Sequence, residues 1–388
     1  MIPAFKPVLL WSDALLFLLL AGVAALAFSM RRQDWFRDPW RQVMRSRLGA
    51  GSALVLSLFL AVGLLDSLHY QERLPEEPGT ASPVAQYSGE VLSLLDWLLS
   101  DLRTRTEKTY SAPLATHLYV KESMKGPDGR EVRDYPPLQY PRAHLLGTDK
   151  VGQDVLYLSL KSIRTGLLIG TLTTLIMLPF AIGLGIAAGY FGGWVDDVIQ
   201  YLYTTLNSIP GVLLIAAAVL VVQAQIEARP ELFPTAAARA DVRLLALCAI
   251  LGLTGWTGLA RLLRGETLKL RELEFVQAAQ AFGVRRARIL ARHLLPNVMH
   301  LVLISAVIDF SGLVLAEAVL SYVGVGVDPA MNSFGNMING ARLELAREPV
   351  VWWQLAAAFM FMFVLVLAAN LFADAVRTAL DPKSERKA

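Results

Sequence analysis

Two carboxylates, Asp309 and Glu317, interrupt the apolar run 298–323. An ionised group at membrane depth is costly, so it faces a cavity or a partner. Each therefore reads either as the lining of a polar path or as a hydrogen-bonded lock between helices. They stand eight residues apart, roughly 800° around a helix, or about 80° from one another. They need not share a path. Glu317 precedes a glycine-rich turn and reads as a lock; Asp309 is open to both readings. Asn207, with Ser208 and Pro210, marks a kink or unwound turn inside another apolar run. His69, His117, His144, His293 and His300 fall at no metal-ligand spacing, so no metal site is expected. The one cysteine, Cys248, lies in an apolar run and reads as a buried thiol; alone, it permits no intrachain disulfide or CxxC site. The sequence has no Gly-x-x-x-x-Gly-Lys-Ser/Thr phosphate loop. It shows no grouping of Ser, His and Asp that reads as a catalytic centre. The chain is expected not to be an enzyme and to bind no cofactor directly.

The densest signal lies in 274–297. Phe275, Ala279 and Phe282 recur at i, i+4 and i+7, one face of a helix. Glu274 and Gln277 are polar positions of the same segment. Gly283 then permits a sharp reversal, because glycine alone adopts positive φ cheaply. A second short helix is predicted to follow, with Ala287, Leu290 and Leu294 on one stripe and Arg285, Arg288 and Arg292 on another. Pro296 is expected to start the next apolar element. An amphipathic pair of this kind fits an anionic lipid surface. It fits a docking element for a cytoplasmic partner equally well.

The elements that must position these residues are membrane helices. Of 388 residues, 55% are hydrophobic and 18% charged, with a mean hydropathy of +0.47. A soluble domain carries nearer a quarter charged residues. The net charge of +3 comes without a basic patch interleaved with aromatics, which gives no case for nucleic acid. Crossing a hydrocarbon core of about 30 Å takes roughly 20 apolar residues. Seven stretches qualify or nearly do: 8–29, 48–66, 166–189, 198–222, 244–260, 298–323 and 350–376. Backbone polar groups must be paired in lipid, so these are expected to be helices. The fold class is thus an all-α integral membrane protein, a polytopic transmembrane helix bundle.

Arginine and lysine set the orientation. Segment 31–47 carries six arginines against two aspartates, and 261–296 carries eight Lys or Arg against three Glu. Arg377, Lys383, Arg386 and Lys387 follow the last span. With seven spans and an external N-terminus, all three segments fall on the cytoplasmic side. A rival reading takes Lys6, the first apolar run and Ala25-Leu26-Ala27 as a cleavable leader. The chain divides into an N-terminal helix with a basic loop (1–47), a span (48–66), an external loop or cap (67–161), a membrane core (162–382) containing the cytoplasmic segment 261–296, and a tail (383–388). Within the cap, 90–102 reads as a short helix, and Pro136, Pro137, Pro141 and the Gly126–Gly129 turn mark irregular chain.

The segment 274–297 resembles the coupling-loop signature of binding-protein-dependent ABC transporter permeases. Ala278, Ala279, Gly283, Leu295 and Pro296 match at the right spacing. Gln277 stands where the family has an acid, and His293 where it has an apolar residue. A hydrogen bond can replace the family's salt bridge at Gln277. Histidine before Leu-Leu-Pro resembles the peptide and nickel branch. So do Leu146–Val155, Ala188–Asp196, Ile209-Pro210-Gly211, Leu315–Val327 and Asp374–Pro382, in that order. The resemblance covers about 146–382 and leaves out the first span and most of the cap.

What the resemblance implies is a six-helix importer permease core with one extra N-terminal helix, multi-pass in a bacterial inner membrane. It implies a second homologous permease, two cytoplasmic ATPase subunits that use ATP, an external solute-binding protein, and surrounding lipid. Di- or oligopeptides are the implied cargo, with nickel complexes as the alternative. Other classes have less support: a membrane enzyme needs a catalytic cluster, and an ion-coupled transporter or channel needs a repeat or filter segment. The orientation is directly testable. Cysteine labelling at Arg41, Gly129 and Arg286 is expected to report inside, outside and inside; an outside signal at Arg286 removes the whole topology.

Overall fold

The computed structural model describes residues 5–30, 34–74, 87–125, 131–233 and 235–380. The Gly126–Gly129 turn and Asp381–Pro382 lie outside them. Strand β1 (Phe5–Val8) leads into α1 (Trp11–Met30), followed by α2 (Asp34–Arg45) and α3 (Arg47–Asp66). The cap holds β2 (His69–Glu72), β3 (Leu92–Ser93), α4 (Leu94–Leu98), α5 (Ser100–Thr104) and the hairpin of β4 (Glu122–Lys125) and β5 (Glu131–Asp134). The core is α6 (Val155–Phe191), α7 (Gly193–Ser208), α8 (Gly211–Glu227), α9 (Ala236–Gly255) and α10 (Thr257–Leu270). It continues through α11 (Glu274–Ala281), α12 (Arg286–Ile289), α13 (Leu295–Val323), α14 (Phe334–Arg342) and α15 (Trp353–Leu380).

Among the described residues five helical segments are long and apolar enough to cross a membrane: α3, α6, α9 with α10, α12 running into α13, and α15. The pair α7 and α8 makes a sixth only as a broken span, bent by 87°. The span expected over 198–222 is broken at Ile209–Pro210, where Asn207, Ser208 and Pro210 were expected to mark a kink or unwound turn. Pro210 supplies no N–H, and Ile209 before it takes an extended backbone (φ −94, ψ 131). Helix α1, Trp11–Met30, is an apolar helix of 20 residues. The short apolar run 244–260 lies inside one stretch, Ala236–Leu270, of 35 residues.

The cap is not helical throughout. β1 pairs antiparallel with β2, from Phe5↔Glu72 to Val8↔His69, and β2 pairs with β3. The chain before α1 and the chain after α3 thus share one sheet, so both ends of this helical excursion lie on the same side. Charge asymmetry assigned them to the outside on independent grounds. The helix expected over 90–102 is split: β3 comes first, and α4 and α5 meet at Leu99. Ser93 and Asp96 form a capping box at the start of α4.

Helix α6 organises the bundle. Asp154 caps it, accepting from the N–H groups of Leu156 and Tyr157 and from His144 Nδ1 at 2.9 Å. Near its other end, Gly185 and Gly189 let α10 approach closely. A Cβ at Gly185 would sit 2.7 Å from Ala260 O, and one at Gly189 2.6 Å from Thr267 Cβ. Small residues permit such approach where no hydrophobic force drives helices together.

At the cap end, three residues of α6 at i, i+4 and i+7 carry buried polar ties. Tyr157 OH donates to Asp96 Oδ1 (2.7 Å), and Lys161 Nζ to Asp66 Oδ1 (2.6 Å) and Asp96 Oδ2 (2.9 Å). Arg164 donates to Asp13 Oδ1 (2.6 Å), Ser12 Oγ (2.8 Å) and Ser67 Oγ (3.1 Å). His69 Nδ1 meets the other Asp13 oxygen at 2.7 Å, and Ser12 bonds Asp241. The helix outside the family resemblance, α1, is thereby bound to α6 and α9. Removing one partner of a buried pair costs about 3–5 kcal/mol, because a charge is left uncompensated. Arg164→Met is expected to lower the thermal midpoint of the purified chain sharply. Arg103→Met breaks the more exposed Arg103–Glu90 pair and is expected to move it little.

Candidate functional site: the segment 271–297

The segment 271–297 is built as an anchored reversal. Helix α11 closes with Val284 N–H donating to Ala279 O and Gly283 N–H to Gln280 O, both 3.0 Å. This is the Schellman arrangement, and it places Gly283 at φ +73. The accompanying apolar contact is present: Ala279 and Val284 belong to one cluster with Val276, Ile289, Leu294, Leu263 and Ile186. Val276, Ile289 and Leu294 are fully buried, which fixes the segment to α6 and α10.

The expected faces are corrected by this packing. Phe275 and Ala279 were paired with Phe282 on one stripe, but α11 buries Val276 and Ala279 instead. Phe275 and Phe282 point outward, Phe282 at 87% exposure. In the second half, Ile289 and Leu294 are buried while Ala287 is exposed. The cause is packing against α6 and α10, which choose between two apolar faces and which spacing alone does not report. Nor is there a separate second helix. One turn, α12, passes through a π turn at Leu290–Leu294 into α13, and Pro296 sits one residue inside that helix.

The remaining predicted residues fall as follows. Glu274 is exposed in the first turn of α11, where its charge suits the helix dipole. Gln277 Nε2 donates to Glu272 O at 3.1 Å, a hydrogen bond rather than a salt bridge. Ala278, Arg285 and Arg288 are exposed, and neither arginine has a carboxylate partner among the described residues. His293 lies 6.2 Å from Phe275, ring centre to ring centre. Leu295 is half-buried and Pro296 exposed. Two residues missed in the sequence tie neighbouring helices together: Asp196 of α7 takes a two-pronged contact from Arg264 of α10, at 2.5 and 2.6 Å. Their signal was an acid just after the glycine turn and a basic residue in the arginine-rich segment.

The membrane-depth residues do not converge. Glu317 is buried against the start of α14, accepting from Ser321 Oγ at 2.7 Å and bonding Ser333 and the Gly335 backbone. Asp309 is half-buried at mid-length of α13, with no hydrogen-bond partner among the described residues. Asn207 Oδ1 accepts from Thr257 Oγ1 at 3.2 Å. It lines an open cleft of about 360 Å³ with Tyr203, Thr204, Ser208 and Arg261. Cys248 is buried.

Comparison with known proteins meets this geometry over the core. Residues 181–386 match the family of binding-protein-dependent transport system inner membrane components. The oligopeptide transport system permease protein OppC of Mycobacterium tuberculosis is 33% identical over 241 residues, 62% of this chain and 76% of that protein. The dipeptide transport system permease protein DppC of Bacillus subtilis is 28% identical over 273 residues, 70% and 76% of the two chains. The glutathione transport system permease protein GsiD of Pectobacterium atrosepticum is 31% identical over 243 residues, 62% and 73%. An inward-facing structure of the MetNI methionine ABC transporter covers 58% of this chain and 98% of its own, at 16% identity and a TM-score of 0.43. The family match takes in the close-packed α6–α10 contact, the anchored reversal at Gly283 and the last span, and the chain belongs to the binding-protein-dependent transport system inner membrane components.

Proposed function

We propose that this chain is the permease subunit of a peptide importer of the bacterial inner membrane, driven by ATPases that it does not itself contain. Peptide cargo is supported by relatives named for oligopeptide, dipeptide and glutathione transport. The partners are a second homologous permease, two cytoplasmic ATPase subunits and an external solute-binding protein. ATP is bound and used by the ATPases.

The observation that carries the mechanism is the two-sided construction of 271–297. One side, Val276, Ala279, Ile289 and Leu294, is buried in the bundle. The other presents Phe275, Phe282, Arg285 and Arg288 outward. An exposed aromatic with flanking arginines suits a docking pocket, since such residues dominate interface energy. A displacement of the ATPase pair is then transmitted to α10 and α13, because the buried side has no slack to absorb it. Energy reaches the path only through contacts that differ between two states. Asn207 and Asp309 are the residues proposed to line that path; Glu317 holds α13 to α14.

The test is Gly283→Val. A β-branched residue at φ +73 is strained by about 1–3 kcal/mol. That is too little to stop insertion of whole apolar spans. It is enough to misplace Phe282 and Arg285. Expected are normal abundance in the membrane, weak co-purification of the ATPases or uncoupled hydrolysis, and peptide uptake reduced roughly tenfold or more. Gly51→Val, at a helical glycine with open space around it, is the control. Wild-type uptake by Gly283→Val at normal abundance removes the coupling role.

A further inference from the structure

Helix α2 lies ahead of the part that matches the family, 181–386. Its sequence, DWFRDPWRQVMR, is strongly amphipathic. It is held in a fixed corner. Val43 is buried, and its carbonyl accepts from Ser46 Oγ at 2.8 Å. The same Ser46 Oγ accepts from Gly49 N–H at 3.0 Å, capping α3. A Cβ on Gly49 would lie 2.3 Å from Val43 O, so α2 and α3 meet in direct contact. Trp40 reaches Phe372 of α15, with ring centres 6.1 Å apart.

From this corner two kinds of side chain point outward together. Arg41, Arg45 and Arg47 are exposed, and none has a carboxylate partner among the described residues. Met44 and Leu48 are also exposed, at 57% and 65%. The level of these residues in the membrane is set by α3. It begins at Arg47 and is apolar from Leu48 onward, so the edge of the hydrocarbon falls within about one turn, or 5 Å, of this corner. The neighbour at that level must be apolar on one side and polar on the other. It must also bring negative charge to three guanidinium groups. A phospholipid with an acidic headgroup has all of these properties. A cytoplasmic protein does not, because it would have to enter the acyl boundary to cover Met44 and Leu48.

We propose that α2 and the start of α3 bind acidic phospholipid of the cytoplasmic leaflet, with Arg41, Arg45 and Arg47 on the headgroup phosphate and Met44 and Leu48 on the upper acyl chains. Guanidinium groups take phosphate oxygens in a forked geometry that ammonium groups do not reproduce. The site sits at the junction of α2, α3 and α15, so a bound lipid braces the N-terminal helices against the last span.

The experiment uses the full chain in nanodiscs. Cys248 is buried, so a fluorophore on Met44→Cys is selective. The label is read in phosphatidylcholine discs doped with the same fraction of brominated phosphatidylglycerol or brominated phosphatidylcholine. The acidic lipid is expected to quench more strongly. Its advantage is expected to fall by up to roughly fivefold for each arginine changed to glutamine at 41, 45 and 47. On the unsubstituted arginines the same advantage is expected to fade as salt is raised, which covers the case of a triple variant that does not fold. Equal quenching by the two lipids overturns the proposal. So does a label reached by neither lipid and shielded only when the partner ATPases are added, which makes α2 a protein-docking surface instead.

Discussion

Arg164 is an arginine placed where water does not reach. Its side chain is 6% exposed, against an Asp13 that is fully enclosed. Taking two such charges out of water costs several kcal/mol each, and only close geometry with further hydrogen bonds repays it. Here the repayment draws in groups from every nearby element. Ser12 and Asp13 come from α1, Ser67 from the end of α3, His69 from β2 and Asp241 from α9. The arginine therefore does more than pair. It requires α1, α3, α6 and α9 to be in place at once, since any missing member leaves a bare charge. Lys161 and Tyr157, about one and two turns away on the same face of α6, extend the requirement to the end of α3 and to the cap through Asp66 and Asp96.

The inner end is built on a different principle. Close contact of α6 with α10 at Gly185 and Gly189 rests on shape, and the coupling segment adheres by buried aliphatic groups. Dispersion contacts are individually small and numerous, so they resist deformation without demanding one charge arrangement. Asp196 with Arg264 is the close ion pair there, and it joins α7 to α10 across the break that precedes α8. The bend of 87° between α7 and α8 leaves Asn207 and Ser208 at the lip of an open cleft instead of inside a span.

How much of this was legible beforehand depended on range. The apolar spans follow from runs of residues, a quantity that one stretch of chain carries by itself. The Gly283 reversal was legible for the same reason: positive φ is a local demand that only a few residues meet. The outward turn of Phe275 and Phe282 was not, because two faces of α11 are both apolar and the choice between them is made by α6 and α10. The ties of Arg164 were hidden too. Asp13 lies inside one apolar run and Arg164 just ahead of another, 151 residues on; nothing local says that they meet. The cap's strands escaped because β1 and β2 are four residues each and find their pairing only across three intervening helices.

This division between the ends bears on movement. Alternating access needs one part of the bundle to shift against another, and buried charge networks oppose shifts of an ångström or more, since each displaced hydrogen bond leaves a desolvated group. The outer end, from α1 to the cap, carries the dense network and is the natural fixed body. Trp353 adds to it by donating to Thr148 O at 2.9 Å, and Tyr119 by donating to Val350 O, tying the cap to the start of α15. At the inner end, α7 is held to α10 by Asp196 and Arg264, while Phe282, Arg285 and Arg288 stand clear of the bundle. On the proposed function, a push delivered at 274–292 meets a bundle clamped by charge at the cap end and held by shape near Gly185 and Gly189.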